Sequence, residues 1–180
     1  VTENRNNIAG FNNLKHWLAE RKNSFAGSQM SHLPAPKGLL LMGVQGCGKS
    51  LAIKIVARKL NLPLYRLDLA VLYSKFIGET EQNLRKALVI VEKLCPLCLW
   101  IDEIEKGLSG ANSSNDGGVS TRMVGQFLFW MQECKKQVFV VATANDVSML
   151  PSELLRRGRF DELFFIDLPT ASERKEILSL

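Results

Sequence analysis

No stretch of this chain approaches the ~18 consecutive apolar residues that a membrane-spanning helix requires, and its opening, VTENRNN, is polar with no signal-like hydrophobic segment behind it. Those two absences predict a soluble, intracellular protein without a membrane segment. Histidine is nearly missing: His16 and His32 are the only two, and each reads as a surface or satisfied residue rather than a base or ligand. Cysteine is scarce as well. Cys47, Cys95, Cys98 and Cys134 lie in or beside apolar segments, which argues for reduced thiols and against a disulfide framework. Cys95 and Cys98 do form a C-x-x-C, but no second such pair and no H-x-x-x-H exists to complete a four-ligand zinc site, so both read as small core residues. Charge is not massed either. The net charge of +5 is spread along the chain, and the phosphates of a nucleotide are a simpler polyanionic partner for it than a nucleic acid. Internal repeats are absent, and so is the guanine-reading N-K-x-D signature of GTPases.

What is present is an alternation. KGLLLM (37–42), PLYRLDL (63–69), LCLWID (97–102), QVFVVATA (137–144) and LFFIDLP (163–169) read as short apolar strands. Between them, residues 49–60, 79–94 and 121–134 carry apolar residues at helical spacing, and 8–25 does so ahead of the first strand. Strands that are apolar throughout and separated by helices imply a parallel sheet covered on both faces. The expected fold class is therefore α/β, a three-layer αβα sandwich around a five-stranded parallel sheet.

The first strand runs straight into GVQGCGKS (43–50), which satisfies G-x-x-x-x-G-K-(S/T) between a strand and a helix. Such a turn points successive backbone N–H groups inward, and the following helix adds the partial positive charge of its N-terminus, so the pair forms a phosphate cradle. Gly43, Gln45, Gly46, Cys47, Gly48, Lys49, Ser50 and Leu51 are the expected ATP-binding residues. Lys49 would reach the β and γ phosphates, and Ser50 would give its hydroxyl to Mg2+. A chance match in a chain this long occurs on the order of once in a hundred, before the strand and helix context is demanded.

A cradle alone hydrolyses nothing. The third strand ends in Asp102 and Glu103, at the sheet edge where open α/β sheets bind ligands. Asp102 is the expected second Mg2+ ligand and Glu103 the base that orients and deprotonates water. The alternative for this pair is helix capping, since EIEK follows. Cys47, inside the turn, makes the site a candidate target for thiol reagents.

With these residues placed, the segments from about Ile8 onward resemble an AAA-type ATPase. VVATANDVSMLPSELLRRGRFD (140–161) is similar to that family's second region of homology. The resemblance implies that Asn145 is the polar sensor between γ phosphate and water, and that Arg156 and Arg159 are arginine fingers reaching a neighbouring subunit's nucleotide. Arg157 stands where the family usually has proline, so the first finger is Arg156 or Arg157. SKFIGETEQNLRKA (74–87) resembles the substrate-gripping pore loop, with Lys75, Phe76, Ile77 and Gly78 facing the centre of a ring, and the glycine-rich stretch 107–118 falls where a second pore loop occurs. Arg122, just after it, is read as facing either a subunit boundary or solvent.

The usual G-P-P-G-T-G-K-T has become GVQGCGKS here, and losing prolines adds backbone donors rather than removing them. The wording of LWIDEIEK, DGGVSTR and the stretch from Phe139 to Ile177 is most similar to a branch of the family encoded in red-algal plastid genomes and in cyanobacteria, which implies a plastid-stromal or cytoplasmic location. The resemblance divides the chain into a nucleotide-binding α/β subdomain (1–169) and the start of a helical lid (170–180). It implies an Mg-dependent ATPase in a homo-oligomeric ring, a hexamer, that remodels or threads a protein. Two alternatives stand beside it: an ATP-switched binding or scaffold module, and a nucleic-acid remodeller, for which the net positive charge speaks.

Overall fold

The structure, a computed structural model, describes residues 11–25, 36–72, 79–108, 119–146, 148, 150, 152–156 and 158–179. Helix α1 (Asn12–Phe25) precedes strand β1 (Gly38–Met42), α2 (Lys49–Lys59), β2 (Leu64–Leu67), α3 (Glu79–Lys93) and β3 (Leu97–Ile101). A short α4 (Ile104–Leu108), α5 (Val119–Glu133), β4 (Val138–Ala144), β5 (Glu162–Phe165) and α6 (Ala171–Leu178) follow. The five strands form one sheet in the order β2-β3-β4-β1-β5, and every neighbouring pair is parallel. The α/β class and the five-stranded parallel sheet expected from the alternation are thus what the chain adopts.

Two cores lie on the two sheet faces, and the pleat decides which side chain joins which. Leu39 and Leu41 of β1, Cys98 of β3, and Phe139 and Val141 of β4 pack with α1 and α2. Leu40, Leu97, Leu99, Ile101, Val138, Val140 and Ala142 point the other way, against α3, α4 and α5. Adjacent residues in one strand are therefore both buried, which is why β1 and β4 read as continuous apolar runs rather than alternating ones. Cys98 is wholly buried among them, and that burial pushes its thiol up to about 12. The exposed His16 of α1 pairs with Glu20 one turn on, Nε2 to Oε1 at 3.2 Å.

Strand β5 is shorter than the sequence suggests, because its partner gives out. β1 offers ladder positions only from Leu39 to Met42, and after one more bond, Ile166 N–H to the Met42 carbonyl at 2.6 Å, Gly43 turns away. At the other end of β1, the Asp161 carboxylate accepts from the N–H groups of Lys37 and Gly38 at 2.5 and 3.0 Å. The Lys37 ammonium donates to the carbonyls of Met131 and Gln132, closing the C-terminal turn of α5. Helix α6 begins at a capping box: the Thr170 hydroxyl accepts from Glu173 N–H, while the Glu173 carboxylate accepts from Thr170 N–H.

Candidate functional site

The carboxyl ends of β1, β3 and β4 are adjacent in the sheet, so their following residues meet at one edge. After β1 the chain makes the turn 43–48, and the packing beneath it dictates the glycines. A methyl group at Gly43 would stand 2.1 Å from the Ile166 carbonyl oxygen and 2.8 Å from Cys47 Sγ. Gly48, at φ 96°, is the left-handed N-cap of α2, where any side chain would be strained. No side chain caps this helix end, so its first N–H groups face the turn as donors. Nothing lies within 4 Å of where a Cβ would stand on Gly46, so the mouth of the turn is open. An uncapped helix end, an open amide-lined mouth and an adjacent ammonium fit a polyphosphate in both charge and room.

That ammonium is Lys49. Its Nζ donates to the carbonyls of Gly43 and Val44 at 2.6 and 2.9 Å and to Asn145 Oδ1 at 2.9 Å. Asn145, just past β4, donates through Nδ2 to Glu103 Oε1 at 3.2 Å. One carboxamide therefore bridges the lysine of the turn to the carboxylate after β3. Lys106, one turn along, holds Glu103 Oε2 at 2.7 Å. That hydrogen bond, with a smaller one from Asn145, keeps the Glu103 carboxyl below its ordinary value against the opposing effect of partial burial. The group is accordingly ionised at neutral pH.

Glu103 sits at φ 47°, a left-handed conformation that costs a residue with a Cβ roughly 1–2 kcal/mol. The kink turns the chain out of β3 and into α4. Thr143, fully buried in β4, supplies what holds it: its Oγ1 accepts from Glu103 N–H at 2.9 Å and donates to Asp102 Oδ1 at 2.7 Å. The other oxygen of Asp102 pairs with Arg66 of β2 at 3.3 Å, and that guanidinium lies over Trp100, 5.1 Å from the ring centroid. Neither Thr143 nor Arg66 stands out in sequence. A threonine inside an otherwise apolar, fully buried strand was the one available signal for the first.

Replacing Thr143 by Val keeps the volume and leaves Asp102 and the Glu103 N–H without that partner, so the variant should lose about 1–3 kcal/mol of stability. Urea denaturation checks this, with Thr143→Ser recovering most of the loss. A Val variant unfolding at the wild-type midpoint would remove the hydroxyl from this role.

The remaining expected residues fall as follows. Gln45, Gly46 and Ser50 are exposed at the turn, and Leu51 is exposed on the first turn of α2. Cys47 is 95% removed from solvent, beneath the turn in the α1–α2 core, so the expected access for thiol reagents is corrected by packing. Arg156 is exposed, and Arg159 donates to the Glu153 carbonyl of its own chain. Among the described residues neither arginine is hydrogen-bonded to the Lys49–Asn145–Glu103 cluster. Arg122 is exposed, and its Nε donates to Glu81 Oε1 at 2.5 Å, tying α5 to the start of α3. Lys75, Phe76, Ile77, Gly78, Arg157 and His32 lie outside the described residues, as does 109–118 of the glycine-rich stretch.

No helix among the described residues is long and apolar enough to cross a membrane. Residues 39–168 match the model of the ATPase family associated with various cellular activities (AAA). The uncharacterized AAA domain-containing protein ycf46 of Trieres chinensis is 49% identical over 181 residues, covering 100% of this chain and 36% of its own length. Its counterpart in Pyropia yezoensis is 49% identical over 174 residues, covering 96% of this chain and 35% of its own length. A nuclear valosin-containing protein-like protein of Mus musculus is 33% identical over 148 residues, 81% of this chain and 17% of its own length. The chain thus spans about a third of the length of the ycf46 relatives it matches.

Proposed function

We propose that this chain, which belongs to the ATPase family associated with various cellular activities (AAA), hydrolyses ATP at the edge where β1, β3 and β4 end. The observation that carries the reading is the Asn145 bridge, which links Lys49 of the phosphate turn to Glu103 of the acidic doublet. A lysine and a carboxylate held by the two ends of one carboxamide are spaced for a phosphate on one side and a water on the other.

In this reading the amides of 43–51 cradle the phosphates, and Lys49 exchanges its contacts with the turn carbonyls for phosphate oxygens. Glu103, ionised, accepts the proton of the attacking water, while Asn145 orients that water between the base and the γ phosphate. Thr143 keeps Asp102 and Glu103 at fixed separation throughout. Ser50 and Asp102 would hold Mg2+, which when bound offsets charge on the phosphate oxygens. Arg66, already paired with Asp102, limits where that carboxylate can swing.

Ring assembly, in a hexamer, is the second part of the proposal. Arg156 is exposed, and Arg159, half-buried, donates to the Glu153 carbonyl and not to its own chain's cluster, which supports a role for either at a neighbour's nucleotide. A cation delivered to the transferring phosphoryl is worth ~10^3 to 10^5 in rate where such fingers act. The pore-loop resemblance of 74–87 supports a protein as the remodelled or threaded substrate, and α6 as the start of a helical lid completes the reading. Similarity to the ycf46 proteins supports a plastid-stromal or cytoplasmic location.

Mixing tests the arginines together with the hydrolysis. Activity of the intact protein should rise faster than in proportion to its concentration, and an Arg159→Ala subunit mixed with a Glu103→Gln subunit should regain phosphate release that neither shows alone. Strict proportionality with no complementation would contradict fingers acting between subunits.

A further inference from the structure

Glu105 is the one acidic side chain of the described residues that the sheet edge buries, at 4% exposure, and the chemistry above does not use it. Its Oε1 accepts from the backbone N–H of Asn145 at 3.0 Å, and its Oε2 has no hydrogen-bond partner. Its hydrogen bonding thus comes from a single main-chain donor, with the Lys106 ammonium acting on it through charge alone. Replacing Glu105 by an apolar side chain of similar size would leave that main-chain N–H without its acceptor. Its one hydrogen bond makes Asn145 the group through which it can reach the site.

The partner is the pivot of the site. Asn145 leaves β4 at its end, where no ladder fixes it, and its carboxamide touches both Lys49 and Glu103. Thr143, two residues earlier, ties β4 to Asp102 and Glu103, and Glu105 returns the tie from α4 to Asn145. Three bonds cross between the same two strand ends, one donated toward β4 and two donated from it, so the doublet and the carboxamide fix each other.

We infer that Glu105 is a positioning residue for hydrolysis, setting the Asn145 carboxamide between Lys49 and the Glu103 base by clamping its main-chain N–H. The inference rests on the ATPase reading above and extends it to a residue that touches neither nucleotide nor water. A displacement of about 1 Å at a reacting centre can cost about 10^2 in rate without changing what binds, so the effect should fall on kcat.

The test uses the intact protein with Glu105→Leu, Glu105→Gln and the wild type side by side. For Glu105→Leu we expect a melting temperature lowered by no more than a few degrees, a Kd for Mg-ATP within about threefold, kcat lower by about 10^2, and faster amide hydrogen exchange at Asn145. Glu105→Gln keeps an acceptor for that N–H and should recover kcat to within about threefold of wild type. Should the Leu variant fail to fold, Glu105→Asp takes its place, since one methylene less withdraws the carboxylate from Asn145. Wild-type kcat or unchanged Asn145 exchange in the Leu or Asp variant overturns the inference, as does a Gln variant as slow as Leu. If the wild type itself releases no phosphate, the ATPase reading fails, and the exchange measurement still decides whether Glu105 holds Asn145.

Discussion

Glu103→Gln should bind ATP as the wild type does and hydrolyse it about 10^2 to 10^4 times more slowly, the range a positioned general base contributes. The amide is the same shape and still accepts from Asn145 Nδ2, the bond that is 3.2 Å long in the native site. Its main-chain tie to Thr143 does not involve the side chain at all. What changes is the capacity to take a proton, together with the ion pair to Lys106 on the exposed side of α4. An exposed pair of this kind is worth at most about 1 kcal/mol, too little to account for a large loss of rate through the fold. Nucleotide affinity from calorimetry and phosphate release from the same preparation check it together. Turnover within a few-fold of wild type would show that Glu103 is not the base.

Lys49→Ala should weaken ATP binding by about 10^2-fold, because two charge-assisted hydrogen bonds to phosphate at roughly 1.5–3 kcal/mol each outweigh the contacts the ammonium gives up within the protein. Those contacts are bonds to the carbonyls of Gly43 and Val44 and to Asn145 Oδ1. The Val44 and Asn145 acceptors are exposed and can turn to water while the Gly43 carbonyl is part-buried, so the fold should lose on the order of 1 kcal/mol. Calorimetric titration with Mg-ATP, beside a thermal melt of the same variant, separates the two effects. An unchanged Kd would place the phosphates elsewhere.

The parts of this site that could be read from the chain alone are those fixed by local geometry. GVQGCGKS carries its strand, its turn and its helix N-terminus within a dozen residues, and the doublet Asp102–Glu103 follows a strand that is apolar to its last position. Apolar runs at 38–42, 97–101 and 138–144 gave the parallel sheet because burial on both faces leaves no alternation to misread. Register is what local pattern does not contain. Thr143 meets the doublet because β3 and β4 pair Ile101 with Ala142, and Glu105 meets Asn145 because the left-handed Glu103 turns α4 back over the end of β4. In sequence, Glu105 is one more acidic residue at a helix start, and Arg66 one more charge in a short strand. Cys47 was legible as part of the turn but not as buried beneath it, since that depends on the return of β5 and Ile166 alongside Gly43.

The account depends on the phosphate turn and the acidic doublet serving one metal-triphosphate. The most direct measurement is the position of Mn2+, by its anomalous scattering, in crystals of the intact protein grown with Mn2+ and a non-hydrolysable ATP analogue. One cation should appear about 2.1 Å from Ser50 Oγ, with Asp102 reaching it directly or through one water. A cation bound away from Ser50, or an Asp102 carboxylate that faces no metal, would contradict the account.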